Sequence, residues 1–138
     1  MYKCKHFKIY ELVDPVTYKR FGDEAWMFLN PLILMAADGI REYFGVPVTI
    51  NNWHWGGEFQ WSGLRTVFCT IGGKWSQHRF ANAIDCDIKD IPAEEARQRI
   101  LANQNHPLLQ HITCIEASTN WLHIDSRNIK DRIRIVYP

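Results

Sequence analysis

With 138 residues, 46% of them hydrophobic and 22% charged, the chain is long enough to bury one core without disulfide staples, and its profile excludes a disordered tail. A formal charge of +1, with 16 basic residues scattered along the chain, leaves no electrostatic footprint for nucleic acid or an anionic membrane. Six Trp, seven Phe and five Tyr suggest instead a groove walled by rings.

Residues 1–22 run through Ile9, Leu12 and Val13 to Asp14 and Pro15, which reads as a short extended arm closed by a turn. The N-terminal stretch is basic but no apolar run follows it, so it does not read as a secretory signal and synthesis in a host cytoplasm is expected. The longest apolar run, Pro31 to Ala37, falls short of the ~20 residues that cross a bilayer, so no membrane insertion is expected. From Asp23 to Phe44 the apolar positions, among them Trp26, Leu29, Ile33, Ala37, Ile40 and Phe44, recur mostly at three- and four-residue steps, the period of a helix. Asp23 offers one start. Pro31 within the pattern favours a second, with Asn30 as cap and Gly45 as stop.

Val46–Ile50 is a β-type run, and the Asn and Gly pairs beyond it mark a long loop carrying Trp53, His54, Trp55 and Trp61. Ala83–Ile88 alternates as a strand, and Pro92–Ala102 reads as a helix with Pro at its first turn and acids near its N-terminus. Short β-runs follow at 112–117, 121–125 and 133–137. The expected fold is α+β, a small and mostly antiparallel sheet flanked by helices. It forms a single domain over 1–138, with an arm at 1–22 and the functional motifs at 46–127. Cys4, Cys69, Cys86 and Cys114 form no C-x-x-C pair, and free buried thiols are expected rather than disulfides.

Alternation places Asp85 and Asp87 on one face of their strand and Ile84, Cys86 and Ile88 on the other; it separates His123 and Asp125 from Leu122 and Ile124 in the same way. If the two strands are neighbours, Asp85 and His123 reach one ion, and His78 folds back across a short loop to join them. Two imidazoles and one carboxylate with a position left for water match catalytic zinc, whereas structural zinc favours four closed ligands rich in Cys. By itself the pattern is weak, because a chain with six His yields such triples by chance.

Three segments sharpen it. Ser76 to Asp85 follows a Ser-x-His-x-x-Gly-x-Ala-x-Asp pattern with Ala81 at the glycine; Trp121 to Asp125 reads Trp-x-His-x-Asp; Ser62 to Arg65 reads Ser-Gly-x-Arg. In this order they resemble the motifs of the D-Ala-D-Ala carboxypeptidase family of zinc peptidases, which includes phage endolysin peptidases and is related in fold to the Hedgehog signalling domain. The resemblance implies Zn2+ held by His78, Asp85 and His123, and Arg65 beside the substrate, where it stabilises developing negative charge. Ser76 either binds substrate or braces the turn leading to His78. Many members carry a general-base Glu three residues before the last His; here that residue is Asn120, which cannot accept the proton. Glu116 is the expected substitute, ahead of Asp87 and Asp125, and Asp125 is better suited to orienting His123.

The implied substrate is a peptidoglycan stem peptide, cut by a monomeric phage or prophage protein that reaches the wall by lysis or as part of a virion. The alternative is a catalytically inactive zinc-bearing binding or virion structural module, which Asn120 favours. His54, His106 and His111 are expected at the surface. At least two of Trp53, Trp55, Trp61 and Trp75 are expected to cap the core, with the others walling a cleft.

Overall fold

The computed structural model describes residues 1–129 and 132–138. Its helices are α1 (Pro15–Phe21), α2 (Pro31–Phe44) and α3 (Ala93–Ala102); its strands are β1 (Val48–Thr49), β2 (Ala83–Ile88), β3 (Cys114–Glu116), β4 (Leu122–Asp125) and β5 (Arg134–Val136). The strands form one sheet in the order β1-β2-β4-β3-β5. Three of its pairings are antiparallel and only β5 runs parallel to its neighbour β3, so the α+β class and the mostly antiparallel sheet hold.

The second helix start is the one used. Asn30 accepts the Leu32 N–H at the head of α2, Pro31 occupies the first turn, and Gly45 ends the helix in the left-handed region. Asp23 instead lies in a 3-10 segment, Gly22–Phe28. The N-terminal arm differs from its expected form. Asp14 does not initiate a simple turn but caps α1, accepting from the backbone of Val16 and Thr17 and from the Thr17 hydroxyl, and Pro15 fits the first helical position, where no N–H is needed. Phe7, Ile9, Leu12 and Val13 are buried in the core. The first residues are tied to α2, where the buried Asp38 accepts from the backbone of Lys5 and His6 and from the Tyr2 hydroxyl.

One face of the sheet is apolar. Ile84, Cys86, Ile88, Leu122, Ile124 and Ile115 are all buried in the same cluster as Ile33, Leu34 and Ile40 of α2 and Ala96 and Ile100 of α3, and both helices pack against the central strands. Each large aliphatic side chain there contributes about 1.5–3 kcal/mol, which makes the central strands a stiff support for whatever the other face carries. No helix among the described residues is long and apolar enough to cross a membrane. The four cysteines are free thiols, three buried and Cys4 partly so. Burial, reinforced by neighbouring carboxylates, pushes the thiols of Cys4 and Cys86 up, so neither supplies a thiolate.

Candidate metal centre

The polar face of the sheet is set by register. Asp85 pairs directly with His123 across β2 and β4, and Glu116 pairs with His123 across β3 and β4. Directly opposed residues point to the same face with Cβ atoms about 5 Å apart, so Asp85, His123 and Glu116 form one row across three strands. His78 joins from above, buried in the 3-10 turn Gln77–Phe80 that leads into β2. His78 Nε2 lies 3.2 Å from His123 Nδ1 and 3.2 Å from Asp85 Oδ1, and His123 Nδ1 lies 2.7 Å from that same oxygen. The three residues expected to ligate are thus brought together.

The outer atoms of the triad decide what the inner ones present. His78 Nδ1 donates to the Gly63 carbonyl at 2.8 Å, which leaves Nε2 as the lone-pair nitrogen of the neutral ring. His123 Nε2 donates to Asp125 at 3.3 Å, leaving Nδ1 as its lone pair. Two lone pairs and a carboxylate oxygen therefore converge on one point, an arrangement that repels itself unless a cation or a proton sits there. The donor set fits zinc: two neutral imidazoles, one carboxylate, and an outer hydrogen bond on each ring to fix its orientation.

Protons show the same pull. Burial by itself lowers the His123 imidazole, but the hydrogen bonds to Asp125 and Asp85 outweigh it and raise its pKa to about 9. Burial alone would raise the Asp85 carboxyl; hydrogen bonds from His123 and His78 instead hold it well below the carboxylate range. Asp125 is fully buried, and against the upward push of burial Arg127 and His123 hold it at about 2. The Arg127 fork grips both oxygens of Asp125, at 2.8 and 2.5 Å. Asp125 is therefore an orienting acceptor for His123, as expected.

Ser62, Gly63 and Arg65 organise this site, and Leu64 ties their segment to the core. The Ser62 carbonyl accepts the Asp85 N–H at 2.7 Å and the Leu64 N–H bonds the Leu12 carbonyl. Gly63 orients His78, and a Cβ there would meet the Leu12 carbonyl oxygen at 2.1 Å, so close approach of the backbone requires glycine. Arg65 donates to Asp85 Oδ2 at 3.0 Å and to the Trp61 carbonyl at 2.9 Å. It therefore holds the carboxylate ligand as well as lining the neighbouring groove. Ala81, at φ +58, is left-handed where the resembling motif has glycine, which costs about 1 kcal/mol relative to glycine in backbone strain.

Beside Asp85 opens a groove of about 470 Å³ whose lining includes Trp61, Arg65, Asp85, Asp87, Asn120 and Trp121. Of the four candidate tryptophans, Trp61 walls this groove. Trp53 donates to the Val13 carbonyl, and Trp55 and Trp75 are exposed, so only Trp53 fits the expected capping role. Ser76 precedes the His78 turn without a capping bond from its hydroxyl and lies outside the groove lining. His54 is exposed and stacks on Tyr10 at 3.9 Å; His106 is exposed and His111 half-buried. Sequence reasoning missed Arg127 and the buried Arg97, which fastens the turn before β4 by donating to the Thr119 and Trp121 carbonyls. An arginine two residues beyond Asp125 was the available signal for the first; nothing local marks the second.

No family model matches the chain, no curated protein matches it, and no solved structure matches its fold. The converging donors and the groove beside them carry the functional reading.

Arg65→Ala is expected to weaken the retention of added zinc by about 10–100-fold, because Asp85 loses the partner that fixes it, while circular dichroism stays native. Chelator competition measures the loss. A grossly unfolded variant would make Arg65 a structural residue instead.

Proposed function

We propose that the protein is a zinc-dependent peptidase of the D-Ala-D-Ala carboxypeptidase type, with a Hedgehog-like arrangement of its sheet, acting on bacterial cell-wall stem peptides. The observation that carries this reading is the convergence of His78 Nε2, His123 Nδ1 and Asp85 Oδ1 within 3.2 Å of one another at the edge of an open groove. Zinc bound there supplies a Lewis acid and acidified water.

The chain's own residues supply the rest. Glu116 stands across from His123 on the polar face of the sheet and outside the converging donors, a position from which a carboxylate can serve as proton acceptor. Arg65 lines the groove with its guanidinium anchored on Asp85, a fixed positive charge for an oxyanion. Asp125 and Arg127 hold the His123 ring in one tautomer. The aromatic walls bind an extended peptide and exclude water from one side.

The test is release of new amino and carboxyl termini from purified peptidoglycan by protein whose metal has been quantified, with and without a zinc chelator. One zinc per chain and chelator-sensitive cleavage are expected, and the new termini identify the bond. Bound zinc without cleavage across several wall types would move the assignment to the zinc-bearing binding or virion module. Iron in place of zinc would overturn the peptidase reading, because the same three donors also serve ferrous oxygenases.

A further inference from the structure

The polar face carries a second row one pleat away from the metal row. Thr49 pairs with Asp87 across β1 and β2. Asp87 follows Cys86 in β2, and Trp121 immediately precedes Leu122, the partner of Cys86 in β4. Both side chains line the groove. Two residues along a strand is about 7 Å, so this acid and this ring stand about that far from Asp85 and its partners.

Neither the Asp87 carboxylate nor Glu58 at the groove's rim has a cationic partner among the described residues. The contrast with Asp85 is direct, since Arg65 already neutralises that carboxylate. Trp121 is 42% exposed and no described protein cation lies over its ring. Its backbone is held by Arg97 and Thr119, so the ring is presented from an anchored turn. A groove lined by both a carboxylate and a partly exposed indole, neither paired with a described protein cation, is the combination that recognises an ammonium ion: charge from one and the ring quadrupole from the other.

The geometry points to Asp87 and Trp121 as a subsite for a substrate side-chain ammonium group near the scissile bond. This rests on the peptidase reading and narrows it: the substrate carries a basic residue whose flexible four-carbon stem spans the distance from the metal row to Asp87. Glu58 adds to the negative potential at the groove's mouth and attracts the same group. Asp87 is a specificity determinant here, with no part in the bond-breaking step.

The probes are an Nα-acetylated stem pentapeptide with lysine as its third residue, and the same peptide acetylated on the lysine amine as well. Each is measured twice on zinc-loaded protein, by calorimetric binding and by cleavage. The free amine is expected to bind about tenfold more tightly and to be cut with a correspondingly lower KM. Asp87→Asn should bring the two peptides together without changing zinc content. Equal binding of the two by the native protein, or a preference that survives in Asp87→Asn, overturns the subsite. Amine-dependent binding without cleavage keeps the subsite and overturns the peptidase; cleavage indifferent to the amine does the reverse.

Discussion

His123→Ala is expected to reduce zinc from one ion per chain to none after dialysis, with the fold retained. One of three converging donors is lost, and two ligands do not hold catalytic zinc against water and buffer. The fold survives because neither carboxylate beside the ring is abandoned: Asp85 keeps Arg65 and Asp125 keeps Arg127. Elemental analysis beside circular dichroism reads both, and unchanged metal content in a folded variant would sink the ligand assignment. The pH dependence of stability supplies a second reading. In zinc-free protein the folded His123 pKa of about 9 stands above its ordinary 6.5. Its contribution is therefore full below pH 6.5 and is lost as pH rises through 9, with a slope of at most about 1.4 kcal/mol per pH unit. Zinc reverses the sign, because metal and proton compete for the same nitrogen. The rise in Tm on adding zinc should grow between pH 6 and 9, and His123→Ala should flatten both trends; a native slope in that variant would count against the assignment.

Glu116→Gln is expected to leave zinc bound and to lower cleavage by about 10²–10⁴-fold, the usual weight of a general base. The substitution keeps size and shape, and Glu116 is outside the converging donors, so β3 and the metal row stay in place. The other acids on this face are poorer candidates. Asp125 is fully buried, gripped by Arg127 and held at about 2, which leaves it little basicity. Asp87 stands one pleat away from the triad. Steady-state cleavage of a stem peptide, with metal content as the control, decides the matter. Full activity in Glu116→Gln would place the base elsewhere.

Much of the frame was legible because it is written in local periodicity. The start of α2 follows from Pro31 and Asn30, β2 from strict alternation over Ala83–Ile88, and α3 from its acids and opening proline. The arm departs from its expected form because an Asp-Pro pair has two local meanings, a turn and a capped helix start. Only the burial of Leu12, Val13 and Asp14 separates them. The same limit applies to Ala81, whose left-handed backbone no residue type announces.

The site divides along the same line. Residue types and their alternation settle the donor set, the face each donor takes on its strand, and the presence of an acid, Glu116, near the last histidine. Tertiary structure decided that β2 and β4 are neighbours, that their register sets Asp85 against His123, and that β3 brings Glu116 into the same row. It also decided that the Gly63 carbonyl fixes the His78 tautomer, that Arg65 grips Asp85, and that Asp87 and Trp121 share the groove. The physical reason is range. Alternation and capping depend on neighbours within a few residues, whereas strand order, register and backbone-to-side-chain bonds join segments tens of residues apart and exist only once the core has placed them.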